Sequence, residues 1–167
     1  AGRLYPVGRR LGWLALALTL ALMSMTNLYL TIGYTVAAVT QAPNLFWPRD
    51  VIDGVEWLGE HTDQVGVTLA AFDTGNLIPA WTDHRVVLGH EMETVAFERK
   101  RAEVAAFFAA ETAGPVRQQL LEQYGVAYVF HGPAERALGD FDPATAPYLA
   151  PVFQEGDVVI YQVREPG

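Results

Sequence analysis

The sequence predicts one N-terminal transmembrane helix followed by a small layered α/β domain with a mixed sheet and a C-terminal β-hairpin. Three observations lead to this fold class. Residues 11–40 contain no charged side chain and no histidine. Helix-like and strand-like hydrophobic patterns then alternate along the chain, as they do in layered α/β domains. The last two strand-like runs flank the turn Glu155-Gly156-Asp157, which is typical of a hairpin.

The charges are distributed unevenly along the 167 residues. Residues 1–10 hold three arginines and no acid, and residues 41–167 hold eight basic and 19 acidic residues, so the net charge of −8 arises from +3 and −11. The acidic part lacks the basic surface that nucleic-acid binding requires, and no nucleic-acid partner is predicted. The chain has no cysteine, which excludes disulfides and cysteine nucleophiles.

The uncharged stretch predicts a transmembrane helix over residues 11–32. These 22 residues would form a helix of about 33 Å, enough to cross a hydrocarbon core of about 30 Å. Trp13, Tyr29 and Tyr34 lie near its ends, as interfacial aromatic residues do. The basic stub 1–10 is then cytoplasmic, and the acidic domain is periplasmic or extracellular. The alternatives are a buried core helix or a cleaved signal peptide, whose apolar core is normally only about 7–15 residues long.

Residues 33–48 predict an interfacial linker between the membrane and the globular part. Gly33, Pro43 and Pro48 are typical breaks in regular structure. Residues 45–47, Leu-Phe-Trp, form a large apolar group. This group either anchors the chain near the lipid headgroups or packs under the domain.

Residues 49–167 are predicted to form the extracytoplasmic α/β domain. Asp50 is a plausible N-cap of its first helix and Gly59 a plausible stop, and Gly125 is a plausible stop of the helix that runs to Tyr124. The predicted order is helix 50–61, strand 65–72, helix 74–81, strand 85–88, helix 94–111, helix 115–124, strand 126–130, and a hairpin of 152–153 and 158–163.

The sequence offers little conventional catalytic chemistry. The four histidines show no pair at the three- or four-residue spacing of metal ligands on one helix face, so neither a metal nor a cofactor is predicted. Ser24 is the only serine, which excludes a Ser-His-Asp triad in the outer domain. Glu91 and Glu93 could serve acid–base chemistry, or they could form a solvated loop before a helix.

Polar clusters follow three of the predicted strands. If helical crossovers make these strands parallel, the clusters share one edge, where open α/β sheets bind their ligands. The residues predicted to make direct contacts there are His90, Glu93, Glu135 and Arg136. Glu135 and Arg136 either pair with each other or bind a partner, and charge reversal at both is expected to leave the domain folded.

Several short segments carry a family resemblance. They are Trp57-Leu58, residues 74–80 (TGNLIPA), residues 89–94 (GHEMET), Lys100, residues 120–129 (LLEQYGVAYV), residues 132–136 (GPAER) and residues 158–161 (VVIY). The chain resembles the C-terminal part of large bacterial membrane glycosyltransferases of the GT-C superfamily. Those proteins have many transmembrane helices and often carry a small extracytoplasmic α/β domain after the last one.

The resemblance implies a role without catalysis for this chain. In the superfamily the catalytic acids lie in the first extracytoplasmic loop, so none of them can be assigned to a residue here. The implied partners are the lipid bilayer, other transmembrane helices or membrane-protein subunits, and a glycan or polyprenyl-linked sugar. The alternative is a single-span accessory subunit of a photosynthetic or respiratory complex. Its helix would pack through the small residues Ala15, Ala17, Ala21 and Ser24.

Overall fold

A computed structural model describes residues 5–40, 46–62 and 66–164. The chain divides into two units, Ala1–Trp47 and Pro48–Gly167. Residues 41–45 of the predicted linker, which include Pro43 and Leu45, lie outside the described residues.

The first unit contains one long helix, α1, from Tyr5 to Val39. Its segment Arg9–Val39 is long and apolar enough to cross a membrane, and none of its most apolar window is buried. The helix is longer than predicted, because Gly33 does not end it; a single glycine inside a helix costs only about 1 kcal/mol. Ser24 and Thr19 donate their hydroxyls to carbonyls one turn back, at 2.8 and 2.9 Å, so these polar groups are satisfied within the helix.

The second unit is the predicted mixed α/β domain. Its helices and strands alternate as the hydrophobic pattern indicated. They are α2 (Arg49–His61), β1 (Val67–Leu69), α3 (Phe72–Trp81), β2 (Arg85–Val86), α4 (Phe97–Phe108), α5 (Gly114–Tyr124), β3 (Val126–His131), α6 (Pro133–Arg136), a 3-10 turn (Pro143–Thr145), β4 (Leu149–Glu155) and β5 (Val158–Val163).

The five strands form one sheet in the order β2-β1-β3-β5-β4. β1 is parallel to both of its neighbours: Thr68 aligns with Val86 of β2 and with Tyr128 of β3. β5 runs antiparallel to β3, with Tyr161 opposite Val129, and it pairs with β4 in the C-terminal hairpin. The hairpin therefore supplies the antiparallel edge that the sequence predicts.

The sheet buries a core on each face because successive strand residues point to opposite sides. On one face, Val129 belongs to an apolar cluster with Phe107 and Phe108 of α4 and Leu121 of α5. On the other face, Phe130 lies under α2, where a Cβ added at Gly54 would come within 3.1 Å of its ring. β3 thus lies between the two layers of helices.

The predicted N-cap of α2, Asp50, and its predicted stop, Gly59, are both wrong. α2 runs through Gly59 to His61, and Gly59 instead lets the helix approach Thr82, whose Cγ2 lies 3.2 Å from an added Cβ. Asp50 does not cap α2, because the helix already begins at Arg49 and Pro48 precedes it. Its Oδ2 accepts a hydrogen bond from the Asp157 amide at 2.8 Å, which fixes the hairpin turn to the start of α2.

Strand 65–72 is also shorter than predicted, since β1 ends at Leu69 and α3 already begins at Phe72. The strongest turn signals are confirmed. Gly125 ends α5 with φ 58°, and Gly156 occupies the hairpin turn with φ 51°, both in the region that favours glycine.

Candidate functional site at the carboxyl edge of the parallel strands

The polar clusters that follow β1, β2 and β3 lie at one edge of the sheet, which we call the carboxyl edge. The prediction that these three strands are parallel is confirmed by their register. Asp73 follows β1, His90 and Glu93 follow β2, and Glu135 and Arg136 follow β3. All four residues predicted to make contacts are thus brought to the same edge, although they differ sharply in exposure.

Glu135 is fully buried, with 0 % of its surface exposed. One carboxylate oxygen accepts a hydrogen bond from the Ala71 amide at 2.8 Å, and the other accepts one from the Gly132 amide at 2.9 Å. The buried side chain of Thr74 lies beside the same carboxylate. The carboxylate therefore joins the loop after β1 to the loop after β3, across 64 residues of sequence.

Burial is the main influence on Glu135 and raises the pKa of its carboxyl group, whereas the hydrogen bonds from the Ala71 and Gly132 amides and the nearby Thr74 side chain act to lower it. Ala71 is the N-cap of α3, so the carboxylate also faces the positive end of that helix dipole. An internal acid thus occupies the kind of position where other proteins bind a ligand anion.

The boundary between β1 and β3 is the topological switch point of the sheet. From β1 the chain passes to β2 on one side, and β3 lies on the other side. Open α/β sheets commonly bind ligands in the crevice at such a point. Here that crevice is bridged by Glu135, so the role that the structure gives this residue is to hold two loops together.

The alternative that Glu135 pairs with Arg136 is wrong. Arg136 is exposed, and one of its guanidinium nitrogens lies 3.5 Å from His131 Nδ1. The two ion pairs found among the described residues, Arg49–Asp53 and Arg99–Glu103, lie elsewhere. The Glu135 carboxylate bonds backbone amides instead, because one of its oxygens faces the loop after β1 and the other faces the loop after β3.

His131 is the last residue of β3, and only 7 % of its surface is exposed. Its ring stacks on Phe108 with centroids 6.1 Å apart, and within the described structure its Nε2 has no hydrogen-bond partner. Burial, followed by the positive charge of Arg136, lowers the pKa of His131 to about 4. The imidazole is therefore neutral at physiological pH.

The loop after β2 carries the exposed candidates His90 and Glu93. The His90 carbonyl accepts hydrogen bonds from the Glu93 and Thr94 amides at 3.1 and 2.9 Å, which closes a turn. The Gly89 amide donates to the Thr94 hydroxyl at 3.3 Å and holds the base of this turn. Both candidate side chains face solvent.

Several residues from the segments that carry the family resemblance contact one another at this edge. A Cβ at Gly75 would overlap the Leu88 carbonyl oxygen, so only glycine allows α3 to approach the chain after β2 so closely. The start of the same helix is joined to Glu135 through the Ala71 amide, and Glu135 also accepts a hydrogen bond from the Gly132 amide. The short segments around Gly75, Gly89 and Gly132 thus form one connected structural unit.

In residues 5–40, 46–62 and 66–164, no three histidine, aspartate or glutamate side chains gather as a metal site would require. The carboxyl edge offers exposed imidazole, carboxylate and guanidinium groups on fixed loops. Such groups suit hydrogen bonding to a polar ligand or partner.

A second concave surface, which no sequence pattern indicated, lies at the opposite, amino edge of the sheet. This groove lies between the ends of α2 and α5 and is bordered by the start of β3 and the end of β5. Half-buried aromatic rings and polar side chains line it: Trp57, Tyr128, Tyr148, Gln118, Glu122 and Gln162. These residues are dispersed over four elements and the loop before β4, so no local motif could have revealed the groove.

No family profile matches the sequence, and no curated protein matches it. Among solved structures, the chain is similar to the C-terminal globular domain of an oligosaccharyltransferase from Archaeoglobus fulgidus. The TM-score is 0.54 with 16 % sequence identity, and the match covers 71 % of this chain and 99 % of that domain. The likeness is one of fold.

Proposed function

We propose that this chain is a non-catalytic, membrane-anchored extracytoplasmic domain of a GT-C glycosyltransferase-like protein. In this role it contributes to the binding of a substrate or partner. The observation that carries the proposal is the fold similarity of its globular unit to the C-terminal globular domain of an oligosaccharyltransferase. The candidate membrane-spanning helix and the resembling sequence segments support the same interpretation.

The proposal divides the chain into a cytoplasmic stub (1–10), a membrane span (11–32), an interfacial linker (33–48) and an extracytoplasmic domain (49–167). The charge difference between the basic stub and the acidic domain supports this orientation. A reporter that is active only outside the cytoplasm, fused after Gly167, should be active. An inactive reporter on a stably expressed fusion would contradict the orientation.

The proposed contact surface is the carboxyl edge. His90, Glu93 and Arg136 are exposed there and would make direct contacts, and Glu135 would position the loops that carry them. Their imidazole, carboxylate and guanidinium groups can bond sugar hydroxyls, a phosphate, or polar side chains of a neighbouring subunit. The ligand would be a glycan, a polyprenyl-linked sugar, or another part of the membrane assembly.

The test is removal of the coding segment for residues 49–167 in the source cells. Membranes would then be assayed for sugar transfer from polyprenyl-phosphate donors to their endogenous acceptors. Transfer should fall and should return with the wild-type segment. An Arg136→Glu/His90→Ala double variant should restore it poorly, because both are proposed contact residues with exposed side chains.

The matched control is Glu122→Lys at the amino edge, also an exposed position. This variant should restore transfer as well as the wild type does. If removal of the segment leaves transfer unchanged and instead dissociates a photosynthetic or respiratory complex in native electrophoresis, the accessory-subunit alternative replaces this proposal. The purified 167-residue chain alone is expected to transfer no sugar.

A further inference from the structure

The large apolar side chains that stay exposed in the globular unit are concentrated at its carboxyl edge. Among its described residues these side chains are Phe72, Trp81, Met92, Val95, Val116 and Leu138. Four of them lie directly after the parallel strands: Phe72 after β1, Met92 and Val95 after β2, and Leu138 after β3 with its short helix. Trp81 ends α3 at the opposite edge. The loops that follow the parallel strands therefore carry exposed apolar side chains as well as polar ones.

Met92 and Val95 are the most exposed of these side chains, at 86 % and 81 %. They lie on a loop that is fixed at both ends. At its start the Gly89 amide bonds the Thr94 hydroxyl, and at its end Phe97 packs edge-on against Phe72 with ring centroids 5.6 Å apart. The two apolar tips are thus presented to the outside by a held loop.

The chain also enters the globular unit at this edge. Pro48 precedes α2, and Asp50 in the first turn bonds the Asp157 amide of the hairpin turn. That turn lies at the carboxyl edge, because Val159 pairs with His131, the last residue of β3. The candidate span ends at Val39, and the eight intervening residues can extend over about 29 Å at most. A bilayer crossed by that span would therefore lie within reach of this edge.

The charges around the tips indicate which membrane surface fits. Glu91 and Glu93 flank Met92, and both are exposed, so an anionic surface would repel them. Neutral headgroups would accept the apolar tips without this cost. Two side chains are too few to hold a free domain at a bilayer, but a short tether makes the contact intramolecular and raises its effective concentration.

We propose that the carboxyl edge is a membrane-docking surface whose loop tips Met92 and Val95 insert into the headgroup layer of the bilayer that anchors the chain. This inference rests on the membrane anchoring in the proposed function. It is independent of any role in sugar transfer. Docking places His90 and Glu93, on the same loop, beside the membrane surface.

The test uses the full chain in phosphatidylcholine vesicles. Because these 167 residues include no cysteine, one fluorophore can be attached through Met92→Cys or Val95→Cys without other changes. Lipids with a nitroxide near the headgroup should quench both labels at least about twofold more than a label at Trp81→Cys. Interfacial side chains lie only about 5–10 Å deep, within reach of that nitroxide. Trp81 is a matched control because it is 57 % exposed at the opposite edge.

A label at Ala21→Cys, within the predicted span, separates the two proposals. It should be quenched by a nitroxide near the acyl-chain end. If that label is quenched while labels at 92 and 95 are quenched no more than the one at 81, the docking inference is wrong and the anchoring stands. A blue-shifted but unquenched label at 92 shows a protein contact instead and also overturns docking. An unquenched label at 21 overturns the anchoring and the docking together.

Discussion

Two glutamates at opposite edges of the sheet, Glu135 and Glu122, differ completely in exposure. At the carboxyl edge, Glu135 is buried, and its carboxylate accepts hydrogen bonds from the Ala71 and Gly132 amides. At the amino edge, polar residues such as Glu122 and Gln162 remain exposed around an open groove. Polar residues at strand ends are therefore not by themselves evidence of a ligand site, because some of them hold the loops that a site would need.

The largest effect should come from removing the carboxylate that joins the two loops. Glu135→Ala leaves the Ala71 and Gly132 amides buried without acceptors, and each such group costs about 1–3 kcal/mol. We expect the free energy of unfolding to fall by about 3 kcal/mol or more. Urea unfolding of the full chain in detergent, followed by tryptophan fluorescence, measures the change.

The control for this prediction is Glu122→Ala at the amino edge, which should change stability by less than about 0.5 kcal/mol. Equal losses for the two variants would remove the distinction between the edges. The same reasoning corrects the expectation that charge reversal at both Glu135 and Arg136 spares the fold. A lysine at position 135 would be a buried, unpaired charge facing two donors, whereas Arg136 is exposed and its reversal should be tolerated.

The next effect concerns the close approach of α3 to the chain after β2. Gly75→Ala places a methyl group against the Leu88 carbonyl oxygen, and we expect a loss of about 1–3 kcal/mol from overpacking. Gly114→Ala is the matched control, since an added Cβ there has open space. That variant should be neutral or stabilising by up to about 1 kcal/mol. Thermal unfolding of the two variants side by side would show whether the carboxyl edge is as tightly packed as described.

The pH dependence of the free energy of unfolding should reveal His131, the second buried titratable residue at the carboxyl edge. The folded-state pKa of His131 is about 4, below its usual value, so the unfolded chain binds the proton more tightly. The stability that neutral His131 supports is present above about pH 6.5 and is lost as the pH falls toward 4. Urea midpoints measured between these pH values should fall on acidification.

His131→Phe keeps the stacking on Phe108 and should flatten part of this slope. The remaining slope includes His84, whose pKa burial also lowers, and Glu135, whose raised pKa acts in the opposite direction. A wild-type slope in the His131→Phe variant would mean that this imidazole is not the group responsible.

The smallest effect is expected at Ala96, just before α4. Its φ of 56° lies in the left-handed region, which is strained for alanine. Ala96→Gly should raise the free energy of unfolding by about 0.5–1 kcal/mol. Ala113→Gly precedes α5 with an ordinary φ of −68° and should not stabilise. A loss of stability in Ala96→Gly would show that the loop bearing Met92 and Val95 is not held in this conformation.

Sequence reasoning predicted the elements with strong local signals. The alternation of helices and strands, the stop at Gly125 and the hairpin around Gly156 all depend on nearby residues, and all are confirmed. The parallel order of the first three strands followed from the helical crossovers between them. The common edge of the polar clusters was thus predictable before any side-chain contact was known.

The features that escaped prediction depend on distant partners. Charged residues are usually exposed, so Glu135 looked like a surface contact, and its acceptor role depends on an amide 64 residues away. Asp50 matched the local pattern of a helix cap, but its partner is an amide 107 residues further along. Burial and long-range hydrogen bonding decided both cases, and neither can be read from local spacing.

The bond between Asp50 and Asp157 determines how the globular unit would bear mechanical load. Any pull transmitted by the upstream chain enters at Pro48 and meets this hydrogen bond within the first turn of α2. Further along α2, Gly54 packs against Phe130, on the third of the five strands. Tension would therefore be shared between the C-terminal hairpin, which contains the edge strand β4, and the central strand β3, so that neither would bear the load alone.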